Sequence, residues 1–186
     1  LAGHHAPPRG ATGDHITPGL LRVLDRLSDT AAEIVTELGE SLRQTPLAVA
    51  LTGDATKFTG PERSIIYRWF TDPASREIHP VDDHAFLSAM YASGLRASLA
   101  LRGPDSRAAW YADMLLARSE EFRGLWEDHA VGIRPEEAKR FLHPQVGLLE
   151  LTCQYLVDPQ QSHLLLVYTA QPGSESYEKL QLLAVV

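Results

Sequence analysis

The sequence predicts an α+β domain: one antiparallel sheet of about five strands, covered by helices, with a helical middle between strands at both ends of the chain. Three observations lead there. Apolar residues recur with the helical period from about residue 61 to residue 130. Beyond residue 130 they alternate with period 2. An alternating segment with a central glycine also stands near residue 35, ahead of the helical block. Strands so far apart in the chain share a sheet only if the two ends of the domain meet.

Residues 1–18 are rich in Gly, Pro and His and have no period, as in a linker. Thr17-Pro18 opens a short helix, because proline suits the first helical turn, and Leu20, Leu21, Val23, Leu24 and Leu27 give it an apolar stripe. Over residues 30–50, Ala32, Ile34 and Thr36 alternate with Glu33, Val35 and Glu37, and Gly39 can turn the chain. This favours a hairpin, although the Ala, Glu and Leu content suits a helix nearly as well. Residues 46–51 form a short helix.

Residues 61–70 read as a helix that Pro61 starts, with Ile65, Ile66, Trp69 and Phe70 on its apolar side; Asp72-Pro73 ends it. Asp82 or Asp83 is expected to cap the next helix, which carries Phe86, Leu87, Met90, Leu95 and Leu99. Gly103-Pro104 separates it from another helix that runs through Ala117. Ser119 caps a third, whose core side is Phe122, Leu125 and Trp126. Residues 139–143 and 146–157 then read as strands, the second with Leu149, Leu151, Cys153, Tyr155 and Val157 on one face. A turn at residues 158–161 leads into residues 163–170, apolar on both faces like a central strand. A last helix follows Ser174 and carries Tyr177, Leu180 and Leu183.

The 186 residues suit one domain with a real core. The net charge of −7 argues against direct DNA contact, which usually needs a basic face. No run of eighteen apolar residues exists, no signal peptide is visible, and the single Cys153 excludes an internal disulfide and fits a reducing cytoplasm. There is no Gly-x-Ser-x-Gly, phosphate loop or His-Glu-x-x-His, so no enzyme, no catalytic residue and no cofactor are expected. Cys153 sits mid-strand on an apolar face, where a thiol is inert. His129 and His143 read as structural hydrogen-bonding residues. His79, Asp82, Asp83 and His84 form the best metal-like cluster, but the two aspartates already have work as helix caps, and no metal site is assigned.

Several stretches resemble the MmyB-like ligand-binding domain, which follows a Cro/C1-type (XRE-family) helix-turn-helix in bacterial regulators, commonly from actinobacteria. They are Pro61-Glu62-Arg63-Ser64, Phe70-Thr71-Asp72-Pro73, Arg76-Glu77, residues 119–126 (SEEFRGLW), His129 with Val131, His143-Pro144 with Val146-Gly147, and residues 167–173 (VYTAQPG). Leu1-Ala2-Gly3 followed by Pro7-Pro8 resembles the junction between repressor domain and sensor. The chain departs from the family's pattern at Ser64, Tyr67, residues 79–84 and the 30–50 hairpin.

The resemblance implies a PAS-like fold over residues 17–186, with 1–16 a linker after a helix-turn-helix domain upstream. It implies a cytoplasmic regulator, expected as a homodimer, that senses a small hydrophobic, fatty-acid-like ligand and touches DNA only through the upstream domain. The alternative is a ligand-free dimerisation or protein-interaction module, with the terminal helix as the docking element. A pocket between sheet and helices would be walled by Trp69, Phe70, Phe86, Met90, Leu116, Phe122, Trp126, Leu149, Leu151 and Tyr155, although each of these equally suits plain core packing. Arg63 is the leading anchor for a ligand carboxylate and Arg68 the second, with an ion pair of Arg63 to Asp72 or Glu62 the competing role. Gly94, inside a helix, is expected to admit either a ligand or, more readily, a neighbouring helix.

Overall fold

The computed structural model describes residues 13–128, 138–158 and 162–184. Most of the expected linker, His129 with Val131, and the turn residues 159–161 lie outside the described residues. Five strands form one antiparallel sheet: β1 (Ala31–Val35), β2 (Ser41–Gln44), β3 (Ala138–His143), β4 (Gly147–Asp158) and β5 (His163–Thr169). Their order across the sheet is β2-β1-β5-β4-β3. The two ends of the chain therefore meet where β1 pairs with β5, with Glu33 opposite Leu166 and Ala31 opposite Tyr168. This is the α+β, PAS-like arrangement that the periodicity and the resemblance led us to expect.

The 31–44 segment is a hairpin and not a helix. Its turn needs Gly39 twice over: φ is +72°, and a Cβ there would stand 2.9 Å from Ile65 Cγ2. Thr45 then caps α2 (Pro46–Thr52), accepting from the Ala48 N–H.

The helical middle consists of α3 (Ile65–Thr71), α4 (Val81–Arg102), α5 (Arg107–Arg118) and α6 (Glu120–Glu127). The helix expected from Pro61 is broken at Ser64. Residues Gly60–Arg63 make a 3-10 turn, and Ser64 adopts an extended conformation that caps α3. Its hydroxyl donates to the Leu38 carbonyl at 2.6 Å, and its backbone bridges Glu40, so the hairpin holds it out of the helix. The expected cap at Asp82 or Asp83 is also corrected. Pro80 occupies the cap position of α4, both aspartates lie in its first turn, and Asp83 pairs with Arg140 on β3. Ser119 caps α6 as expected, accepting from the Phe122 N–H at 3.1 Å.

Three apolar clusters hold the layers together. One lies among α3 to α6 and includes Trp69, Tyr111, Leu115 and Phe122. A second joins α2 and α7 (Glu175–Leu183) to the sheet through Leu47, Phe141, Leu149, Leu151, Cys153 and Leu180. The third lies on the opposite face, where Leu24 of α1 (Pro18–Asp25) meets Ala32, Ile34 and Leu165. That explains why β5 is apolar on both faces. It also means that helices do not all lie on one side of the sheet.

Candidate functional site

Between the sheet and α3–α4 the layers do not close, leaving a cavity of about 270 Å³. Alternation builds its floor. Glu33 and Val35 of β1, Tyr155 of β4, and Leu164, Leu166 and Tyr168 of β5 all project to this side, while Ile34, Leu165 and Val167 pack toward α1 on the other. Lys139 and Phe141 of β3 close one side. Arg68 of α3 and Met90, Tyr91 and Gly94 of α4 form the roof, and Thr36, Glu37 and Gly39 of the hairpin turn form part of the wall.

The floor carries a carboxylate. Glu33 Oε1 accepts from the Tyr168 hydroxyl at 3.0 Å and Oε2 from the Ser41 hydroxyl at 3.3 Å. Burial nevertheless raises the Glu33 carboxyl above its ordinary value, against the lowering effect of those two hydrogen bonds and of the Arg68 charge. Arg68 is itself buried (6% exposed). It stacks on Phe58, with 4.1 Å between guanidinium and ring centre, and donates to the Glu62 carbonyl. Among the described residues it forms no ion pair, and burial lowers its pKa.

Three phenols line the cavity, Tyr91, Tyr155 and Tyr168, and burial pushes each of them up, so they remain protonated hydrogen-bonding groups. The Lys139 ammonium lies 3.9 Å from Met90 Sδ and 6.0 Å from the centre of the Tyr155 ring. His79, also on the wall, donates from Nδ1 to the Arg140 carbonyl at 3.0 Å, and burial lowers its pKa. The cavity is therefore largely apolar in its walls with a few converging polar groups, which is the usual composition of a small-molecule site.

The raised Glu33 carboxyl has a stability consequence. With a folded pKa above the unfolded one, the native state holds the proton more tightly, and stability falls as pH rises through the interval just above the ordinary glutamate value. Glu33→Gln is therefore expected to be more stable than wild type at pH 7. The difference is expected to shrink as pH falls toward 4, which thermal unfolding against pH measures. A difference independent of pH would remove burial of the charge as its cause.

Of the residues expected at a ligand site, Arg68, Met90 and Tyr155 line this cavity. Arg63 does not. It lies in the 3-10 turn before Ser64 and makes a bidentate pair with Asp14, both bonds at 3.0 Å, rather than with Asp72 or Glu62. Trp69, Phe70, Leu116, Phe122 and Trp126 belong to the helical cluster and do not line the cavity, and Leu149 and Leu151 pack between the sheet and its covering helices. Phe86 borders an adjoining groove with Asp83, Arg140 and Glu150, which shares His79 and Lys139 with the cavity. Large apolar side chains find partners and fill space, so they mark the core more often than they mark a void. Glu33, Tyr91, Lys139 and Tyr168 were not anticipated at the site. The signal at Glu33 was its sharing of a strand face with Ala31 and Val35, which are 0% and 6% exposed.

The remaining expectations fall as follows. Gly94 meets nothing within 4 Å of a hypothetical Cβ and borders the cavity, so no neighbouring helix accounts for it. Asp83 is engaged by Arg140, and His84 donates from Nε2 to the His79 carbonyl at 3.1 Å. Among the described residues no three His, Cys, Asp or Glu side chains gather as a metal set. His143 donates to the Ala50 carbonyl at 2.9 Å, a structural bond. Cys153 is 0% exposed, and burial pushes its thiol up to about 11, which makes it a poor nucleophile. Leu180 and Leu183 of α7 pack on their own sheet, while Tyr177 is 39% exposed. No described helix is long and apolar enough to cross a membrane.

Residues 16–183 match the sequence model of the MmyB-like transcription regulator ligand binding domain. No curated protein matches the chain.

Proposed function

Since the chain belongs to the MmyB-like transcription regulator ligand-binding domain family, we propose that the cavity between sheet and helices is its sensing site, and that it takes a small fatty-acid-like molecule. The observation that carries this reading is Arg68: a buried guanidinium on the wall of a mostly apolar cavity, without an ion-pair partner among the described residues. A ligand carboxylate would give it a charge-assisted bond in a dry setting. Size narrows the ligand. A cavity of about 150 Å³ holds benzene, so about 270 Å³ suits roughly eleven non-hydrogen atoms, a medium-chain acid.

The regulatory step would be a population shift. The ligand touches β1, β5, α3 and α4 together, favours one packing of sheet against helices, and so biases the geometry of a cytoplasmic homodimer and its helix-turn-helix DNA-binding domain upstream. No cofactor enters this scheme. For the competing interaction-module reading, Leu180 and Leu183 of the last helix already face their own core, while Tyr177 is 39% exposed.

Isothermal titration with octanoate tests the site. Gly94→Leu places a side chain in open space on the cavity wall. It is expected to weaken binding at least about tenfold by overpacking, while the gain in helix propensity of about 1 kcal/mol maintains the fold. Arg68→Met is expected to weaken octanoate by a similar factor through loss of the charged hydrogen bond. Wild-type affinity in both variants would move the ligand out of this cavity.

A further inference from the structure

We infer that the ligand is an acid bearing a hydrogen-bond-donating substituent, a hydroxyl or an ammonium close to its carboxylate, and that Glu33 receives that substituent. The inference rests on the sensing reading above and narrows it, because a plain fatty acid leaves Glu33 unexplained.

Glu33 lies on the cavity floor between Ala31 and Val35 of a strand that is otherwise apolar on this face. An ionised carboxylate offers about four acceptor sites, and Tyr168 and Ser41 supply one donor each. Acceptor capacity therefore remains on a group that borders the cavity. An alkyl tail laid against it would remove water from a charged group and return no hydrogen bond, which is costly. A ligand hydroxyl or ammonium would return one.

The position of the substituent follows from Arg68. Arg68 and Glu33 line the same cavity, yet the two groups are not within ion-pair distance of each other. A ligand whose carboxylate meets Arg68 and whose donor meets Glu33 fits between opposite charges that face one cavity but do not touch. That requires acid and donor to be near neighbours in the ligand. A simple amine fits less well, because Arg68 and Lys139 both line the cavity and would repel a lone cation. The phenols of Tyr91 and Tyr155 lie in the same walls and can bond either polar group.

The probes are octanoate, 2-hydroxyoctanoate and 2-aminooctanoate, titrated calorimetrically into the wild-type chain, Glu33→Gln and Glu33→Leu, with circular dichroism confirming that each variant is folded. In the wild type at least one substituted acid is expected to bind about tenfold more tightly than octanoate, the worth of one hydrogen bond to a charged group. The preferred probe identifies the donor as hydroxyl or ammonium. The isosteric Glu33→Gln is expected to reduce the preference and Glu33→Leu to abolish it, with octanoate then binding at least as well as it does to wild type. Octanoate equal to or tighter than both substituted acids in the wild type, or a preference that survives Glu33→Leu, overturns the inference and leaves the fatty-acid reading in place. Failure of all three acids to bind the wild type overturns both.

Discussion

Trp69→Ala is expected to cost about 4 kcal/mol of folding stability, within the range for removing a large buried aromatic side chain. The indole is 1% exposed. Its ring stands edge-on to His84 at 5.3 Å and His79 at 6.0 Å and lies tilted against Tyr91 at 5.5 Å, with the Arg76 guanidinium 4.8 Å from its centre. Its Nε1–H donates to Ser88 Oγ at 2.8 Å, and Ser88 in turn donates to Glu121 at 2.6 Å. Truncation leaves Ser88 with Glu121, so no donor is orphaned and the cost is lost packing. Tyr91 and His79 also line the cavity, so the void would open behind the ligand wall. Urea unfolding measures the effect: the midpoint should fall with the slope unchanged. A loss below about 1 kcal/mol would show that the neighbours collapse into the space, and that Trp69 is not a fixed support of the wall.

Arg107→Ala is expected to cost about 3 kcal/mol, the lower end for breaking a buried ion pair. Glu40 is 0% exposed, whereas the Arg107 side chain is 43% exposed. The carboxylate accepts from Tyr111 Oη at 2.8 Å and Thr36 Oγ1 at 3.2 Å, and pairs with Arg107. Without Arg107 it keeps two neutral donors and no ion-pair partner among the described residues. Some water can reach the space left by a half-exposed side chain, which places the estimate at the lower end. Adding Glu40→Gln to Arg107→Ala should recover part of the loss, because the unpaired charge is then gone, and a double-mutant cycle measures the coupling. Strict additivity would show that the pair contributes nothing. The effect matters for function because Thr36, next to this network, lines the cavity, and Glu40 ties its turn to α5. At the neighbouring Glu37, the pair to Arg102 at 2.7 Å ties the same turn to the end of α4.

Much of the fold is legible in the sequence. Alternation around Gly39 marked the hairpin, Thr17, Ser119 and Ser174 each cap the helix they were expected to open, and the two-faced apolar run at 163–170 marked a central strand. These are local signals: a period, a side-chain oxygen three residues ahead of a free N–H, a residue that tolerates positive φ. Two local readings failed because a distant partner intervened. Ser64 is held out of the helix by Leu38 and Glu40. Asp83 is drawn to Arg140, while Pro80 takes the cap position of α4.

The site was far less legible. Size and apolarity single out the expected wall residues, and the same properties lead side chains to fill the helical core. Arg63 and Arg68 lie five positions apart, yet the break at Ser64 separates their surroundings, so that Arg63 meets Asp14 and Arg68 lines the cavity. The order of elements, the acidic balance of the chain and the strand face on which Glu33 falls can be read along the chain, because each depends on composition or on residues a few positions apart. Where the layers fail to close is settled by contacts between distant segments, since a void exists where residues from β1, β3, β4, β5, α3 and α4 do not meet. No one segment carries that information: a side chain's volume is local, but what stands opposite it is not.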